Sequence, residues 1–537
     1  MDPAHLDGSA KVSRHGRRFV LWYSLALVVM LAIPFLVASS SAGGEWEFSG
    51  FLIGVEDGNS YIAKMRRAAE GDWLFRSPYS TVPQDGVVAF LPYVLLGKLA
   101  GGAGMHVQLV SLFHLARLLL IPVEVLAVYR FAACFIEEER WRRWVVVMST
   151  LGGGLGWLLV VAGQSWFGDL PLEFYSPETF GFLALFGLPH LVLARALLLF
   201  GLTDYIRSGE SGRRSWRAGL WLTLLALVHP LSSAVAAVVL AAHVGWVALS
   251  SALRKDWTEM RHVASCAVRS VLPMSPLLLY YVWSFATDPY LRGWTIQNRI
   301  LSPHPVHYLV AYALILAPAI AGAIALARLR APFKWVLVSW ILALPLMAYA
   351  PTSLQRRLPE GAWVALAILA ALGLSGLRRM TTRWRWGLAL ALLALSLPST
   401  LILWLGALQL AAWPAQPAFL PVTTTRTFAW IDEHLPAGSV VGADFALSNA
   451  LPAWADVVVV AGHGPESVNL RANLPRLEAL LEGESQAAGR AFLTEHSIDA
   501  LLLGPAQARL PAWNGPIPEW MAELYAEDGY VILGIRH

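Results

Sequence analysis

Apolar stretches long enough to cross a bilayer recur along most of this chain, separated by short polar segments. Nothing constrains its fold more. A hydrocarbon core of about 30 Å needs about 20 apolar residues in helical form, and a backbone inside lipid has to satisfy its own hydrogen bonds. Such stretches lie near 19–39, 106–135, 145–162, 179–202, 263–284, 307–327, 333–350, 361–377 and 386–411. The stretch 218–252 is different: as one helix it would run about 50 Å, and it contains His229-Pro230 and Ser232-Ser233. Proline removes a helix hydrogen bond and clashes with the preceding turn, so two short helices meeting near His229 are expected. The reading is a polytopic α-helical membrane protein with about eleven crossings, an odd number that puts the termini on opposite sides. Composition agrees, with 57% hydrophobic and 14% charged residues and a mean hydropathy of +0.55.

The net charge of +4 and pI near 9.0 would suggest nucleic acid in a soluble chain. Here the basic residues fall in clusters between apolar spans: Arg14/Arg17/Arg18, Arg140/Arg142/Arg143, Arg207/Arg213/Arg214/Arg217, Arg254/Lys255/Arg261, Arg328/Arg330/Lys334 and Arg378/Arg379/Arg383/Arg385. These alternate segments share one side, and the positive-inside bias makes that side cytoplasmic, with the N-terminus. No nucleic-acid partner is implied, and a bacterial plasma membrane suits the pattern. The first stretch, Phe19 to Val37, follows three arginines but is long enough to span, so it reads as an uncleaved anchor. Two cysteines, Cys134 and Cys266, are too few for a thiolate metal site.

The opposite segments, 41–105, 164–178, 285–306, 351–360 and everything after 412, are richer in Trp, Tyr, Pro and acids. Function is expected there. Residues 1–412 form the membrane domain, with 41–105 as its first outer loop, and 413–537 a small extracytoplasmic α/β accessory domain. In the latter, apolar runs at 439–443, 456–461, 499–503 and 530–535 alternate with helical patterns around 470–482, 487–496 and 517–527, which predicts a mostly parallel sheet. It carries no Gly-x-Gly-x-x-Gly, P-loop or Ser-His-Asp signature. Its loop Gly462-His463-Gly464-Pro465-Glu466 is the segment able to reach a neighbouring site. The apolar segment 87–104, with Gly97 and Gly101 to Gly104, is expected to lie along the membrane as a re-entrant or interfacial piece.

In the first outer loop, Glu56-Asp57 precedes Gly58, Asn59, Ser60, Tyr61 and Lys64. A carboxylate followed by Gly58 suits a tight turn at the membrane surface, exposed to an acceptor beside a low-dielectric wall that raises its basicity. Gln355-Arg356-Arg357 and Glu360-Gly361 stand between two spans on the outer side. Positive charge there runs against the prevailing bias, and an arginine fork matches a phosphate, although lipid headgroups take the same side chains. Ionisable residues within spans cost about 2.5–3.5 kcal/mol at the helix centre and normally face partners or a wet cavity. His114 with Arg117, His190 with Arg195, and His229 at the helix break are of this kind. Glu178, with Asp169, Glu173 and Tyr175, belongs to the outer loop 164–178. No short motif supplies a carboxylate set for a divalent metal, so the metal question stays open and no other cofactor is implied.

An N-in first helix, a large outer loop with an acidic pair, many spans and a soluble C-terminal domain together resemble the GT-C superfamily of integral membrane glycosyltransferases, in its protein O-mannosyltransferase and aminoarabinose-transferase-like branch. The stretches 56–65 and Gln355-Arg356-Arg357 with Glu360-Gly361 are similar to those of uncharacterised bacterial multi-span relatives. The resemblance implies a sugar donor on a polyprenyl phosphate, an acceptor that it does not identify, and Asp57, with Glu56 beside it, as the acid of the first outer loop. It further implies Arg356 and Arg357 as donor-phosphate ligands by location. The order here is Glu-Asp, where the family often has Asp-Glu or Asp-x-Asp, which leaves the division of roles between the two acids open. Asn59, Tyr61, Lys64, His190, His229 and Glu178 are the further candidates for the substrate cleft. The rival readings are a transporter or flippase for a lipid-linked or small polar substrate, and a catalytically silent scaffold. One helix break without a second copy gives the transporter little support.

Overall fold

The computed structural model describes residues 13–165, 168–212, 215–377, 379–484, 486–513 and 517–536. Arg213, Arg214 and Arg378 of the basic clusters lie outside the described residues. Among those described, eight helices are long and apolar enough to cross a membrane: Arg14–Ser41, Met105–Ala132, Glu139–Val161, Pro189–Glu210, Pro230–Arg254, Thr258–Thr287, Pro305–Ala327 and Thr382–Ala412. Arg217–Val228, Pro332–Ala348 and Ala362–Ser375 are shorter apolar helices. Large apolar side chains stand on their outer faces, among them Leu346 at 77% and Trp22 at 65% exposure. Water would penalise such a surface and lipid does not, so the chain is a multi-pass membrane protein.

The chain divides into two compact units. The first combines the N-terminal segment up to Ala32 with Ala116–Tyr281 and Ile300–Gly406. Its helices approach closely where glycines permit. A Cβ on Gly322 of Pro305–Ala327 would lie 1.9 Å from the Leu369 carbonyl, and one on Gly373 of Ala362–Ser375 would lie 2.0 Å from the Pro318 carbonyl. Between helices in lipid, small residues of this kind allow backbone contact that dispersion then stabilises. The chain breaks at His229, which is extended at φ −151°, ψ 91°, between Arg217–Val228 and Pro230–Arg254; the second helix is a full-length 25 residues rather than short. A second break divides the stretch expected as one span over 179–202. Leu188 separates Gly181–Gly187 from Pro189–Glu210, because the residue before a proline is pushed out of the helical region.

The second unit combines Ile33–Leu115, Val282–Arg299 and Ala407–His537, so the first outer loop packs with the C-terminal region. Strand β1 (Trp46–Phe48) pairs antiparallel with β2 (Phe419–Pro421), Glu47 facing Leu420. The main sheet contains β3 (Ser439–Gly442), β4 (Val457–Val459), β5 (Ala500–Leu503), β6 (Met521–Glu527) and β7 (Tyr530–Ile535), in the order β4-β3-β5-β7-β6. Two expectations are corrected here. The pairs β3·β4 and β3·β5 are parallel, but β5·β7 and β7·β6 are antiparallel, so the sheet is mixed rather than mostly parallel. The segment 517–527 is not helical, since β6 forms a hairpin with β7 through Asp528-Gly529, both at positive φ. Phe428, Ile431, Val441, Leu451, Val459 and Ile532 fill one core cluster, and Ala63 and Tyr79 of the first outer loop pack into it.

Candidate functional site

The first outer loop holds the helix Val55–Ala69, started by Gly54 in the left-handed region at φ +66°. Glu56 and Asp57 occupy its first turn, where unpaired backbone N–H groups favour negative charge. Gly58 therefore does not make the expected tight turn. It is helical and small for another reason: a Cβ there would lie 2.3 Å from the ring of Phe51, which packs on its Cα.

One face of this helix meets the loop that follows β4. Glu56 Oε1 accepts the backbone N–H of Gly464 at 2.5 Å. Asp57 Oδ1 lies 3.3 Å from His463 Nε2, and the Asp57 side chain is 59% exposed while that of His463 is 3%. Ser60 Oγ donates to Glu466 Oε1 at 2.6 Å, Lys64 Nζ reaches the same oxygen at 2.5 Å, and Ser77 Oγ donates to Oε2 at 3.0 Å. Burial pushes the Glu466 carboxyl up, but the Lys64 ammonium beside it, with the Ser60 hydroxyl, outweighs burial and holds it below its ordinary value. Asn59 donates to Asn449 Oδ1 at 2.8 Å, and Asn449 in turn donates to the Glu56 carbonyl at 3.3 Å. Tyr61 stacks on Tyr93 with ring centroids 4.7 Å apart. The structure thus brings Glu56, Asp57, Asn59, Tyr61 and Lys64 into one unit, the last three largely inside it.

Glu178, His190, His229, Arg356 and Arg357 belong to the other unit. Arg356 and Arg357 end the short 3-10 turn Gln355–Arg357. Arg357 Nε lies 3.4 Å from Glu178 Oε1, and the Arg356 guanidinium sits 4.5 Å above the Tyr175 ring. The His190 and His229 rings are 5.8 Å apart, and Arg357 is within electrostatic reach of His229. In the same unit Arg195 is buried between Glu360 at 2.6 Å, Glu124 at 3.3 Å and the Pro177 carbonyl at 2.8 Å. Burial raises the Glu360 carboxyl to about 7 in spite of Arg195. A fixed guanidinium on an aromatic face beside a second one is suited to an anion with several oxygens.

Sequence reasoning missed Glu466 as the partner of Lys64 and Ser60, and Tyr175 as the platform for Arg356. The signal for Glu466 was its place in the loop Gly462–Glu466, five residues that end the apolar run 456–461. Among the described residues, no three of His, Cys, Asp and Glu gather as a metal site would require. Near Asp57 the donors are already engaged, Glu56 by a backbone N–H and His463 through both ring nitrogens.

No protein-family model matches the sequence, and no curated protein does. Solved structures do. The archaeal oligosaccharyltransferase AglB from Archaeoglobus fulgidus, in complex with an inhibitory peptide and a dolichol-phosphate, superposes with a TM-score of 0.53 at 13% identity, over 91% of this chain and 70% of that one. The same organism's oligosaccharyltransferase in complex with Zn and sulfate gives 0.52 at 12% identity, over 89% and 68%. The arabinofuranosyltransferase AftD from Mycobacteria gives 0.51 at 16% identity, over 95% of this chain and 41% of that one. Identities this low speak for architecture alone. The likeness in architecture shows that this chain has the GT-C fold that these integral membrane glycosyltransferases share.

Proposed function

We propose that the protein is a membrane glycosyltransferase that moves a sugar from a polyprenyl-phosphate-linked donor to an acceptor at the outer face of a bacterial plasma membrane. The observation that carries this reading is Asp57: a solvent-accessible carboxylate in the first turn of a helix, with a buried histidine at its side. Such a group is accessible to a substrate hydroxyl and held in one orientation, which general base catalysis requires. The fold supports it, because AglB has been seen with a dolichol-phosphate bound.

In this reading Asp57 takes the proton of the acceptor hydroxyl as its oxygen bonds to the anomeric carbon. The bond from that carbon to the phosphate oxygen breaks, and the phosphate leaves with the electron pair. Arg356 and Arg357 stabilise the charge that develops on it. Glu178 orients Arg357, and Tyr175 supports Arg356. In the same reading the chain makes about eleven crossings, with the N-terminus in the cytosol and residues 413–537 outside as the positive-inside bias expects; eight long and three shorter apolar helices among the described residues support it.

The test is release of polyprenyl phosphate from polyprenyl-phosphate mannose, glucose, galactose and arabinose by the full-length protein in lipid vesicles, with water and added saccharides as acceptors. Turnover of one donor that is lost in D57N is the expected result. Turnover unchanged in D57N would refute the role of Asp57.

A further inference from the structure

We propose that His463, contributed by the loop Gly462–Ser467 of the C-terminal region, is the positioning residue of Asp57, and that Glu56 anchors this loop instead of sharing the acid-base role. The proposal rests on Asp57 as the base. It makes the soluble region part of the catalytic apparatus instead of an accessory.

The protonation of the ring follows from its partners. The backbone N–H of Glu466 points at His463 Nδ1 from 3.3 Å. An amide N–H only donates, so Nδ1 carries a lone pair and the ring hydrogen of the neutral imidazole sits on Nε2. That is the nitrogen 3.3 Å from Asp57 Oδ1, so the histidine donates to the carboxylate. Fixing Oδ1 fixes the plane of the carboxylate, and a base acts only along the lone-pair directions of its oxygens.

The loop is built to hold the ring still. The backbone N–H groups of Gly462 and His463 both donate to Ser467 Oγ, at 3.0 and 3.1 Å. Tyr79 lies against the imidazole with centroids 5.4 Å apart, and its hydroxyl donates to the Asn449 carbonyl at 2.9 Å. The attachment to the helix follows the helical period. Positions 56, 60 and 64 are four residues apart and therefore share a face, and they meet Gly464, Glu466 and Glu466 in turn. Asp57 shares the edge of this face. The strap thus runs over about 12 Å of helix, two turns and more. Glu56 contributes its Oε1 to the Gly464 backbone, which leaves Asp57 as the accessible member of the pair and resolves the Glu-Asp order into anchor and base.

The variants H463F, H463Q, E56Q and D57N in the full-length protein test this, with two readouts. The first is turnover of the polyprenyl-phosphate monosaccharides in vesicles. H463F should lower kcat by about 10- to 100-fold with KM for the donor little changed, since a small displacement of the reacting group costs this much. H463Q, whose side-chain amide reaches as far as Nε2, should recover most of it. A structural role alone would give neither the split nor the rescue. The second readout needs no substrate: nitrogen-15 NMR of histidine-labelled protein, with the His463 signal assigned by its loss in H463F. It should show the Nε2–H tautomer, with a resonance that moves in D57N. Loss of turnover in D57N together with full turnover in H463F would overturn the positioning role alone. Full turnover in D57N would overturn the base, and the NMR signal would still decide the contact. A His463 in the Nδ1–H form, or one unmoved in D57N, would overturn the inference outright.

Discussion

Nζ of Lys64 lies 2.5 Å from Oε1 of Glu466, and the two side chains are 1% and 8% exposed. This ion pair connects the helix Val55–Ala69 to the loop that bears His463, and Ser60 and Ser77 satisfy the remaining carboxylate valences. Removing one member leaves a charge in a dry place, which costs about 3–5 kcal/mol. K64M and E466L alone should each lower unfolding stability by that order, whereas K64M combined with E466L should cost less than either. Denaturant or thermal unfolding of the purified protein in detergent measures this, and a double loss equal to the sum of the two single losses would speak against a coupled pair.

The same carboxylate sets a pH dependence. Its folded value is held below the ordinary 4.5. A depressed carboxyl contributes stability above its unfolded value and loses it as pH falls through the folded one. The stability gap between wild type and E466Q should therefore be constant from pH 7 down to about 5 and shrink below about 4.5. Unfolding curves at pH 7, 5, 4 and 3 check it; a gap that widens on acidification would contradict the assignment.

In the membrane unit, Gly322 and Gly373 stand where a Cβ would meet a backbone carbonyl at 1.9 and 2.0 Å. Backbone cannot give way as a flexible side chain can. G322L and G373L should each destabilise by about 1–3 kcal/mol or more. G245A is the control, for a Cβ there meets nothing within 4 Å, and alanine is the better helix former. It should be neutral or slightly stabilising in the same thermal assay.

Arg356 and Arg357 give a prediction about the donor. Replacing either by glutamine should raise KM for a polyprenyl-phosphate monosaccharide about tenfold, the loss of about 1.4 kcal/mol expected when one charged hydrogen-bond donor to phosphate is removed. R357K should not restore it, because a point charge does not reproduce a planar fork that also meets Glu178. An unchanged KM in both glutamine variants would show that the phosphate is held elsewhere.

How much of this was legible in the residues varies with the physics. Apolar helices long enough for a bilayer were readable because lipid admits few alternatives, and the break at His229 was readable because Pro230 enforces it. Pro189 enforces the break at Leu188 in the same way, but there the surrounding apolar run conceals it. The segment 517–527 was misread because Met521, Leu524 and Tyr525 fit a helical period as well as an irregular strand, and only pairing with β7, across a register shift between Glu523 and Tyr525, decides between them. Gly58 signalled a special backbone position, yet its reason is the Phe51 ring, a tertiary contact. The loop Gly462–Glu466 stood out as able to reach a site, but its partners Glu56, Asp57, Ser60 and Lys64 lie some 400 residues earlier, and no local pattern names a partner at that separation.

The most direct measurement is turnover of polyprenyl-phosphate monosaccharides by wild type and D57N in vesicles, with D57N first shown to be folded by its unfolding curve. The expected result is release of polyprenyl phosphate by the wild type and a loss of at least about 100-fold in D57N, the scale of a general base. A folded D57N that releases polyprenyl phosphate as fast as the wild type, or a wild type that moves an intact lipid-linked sugar across the bilayer without cleaving it, would contradict the account.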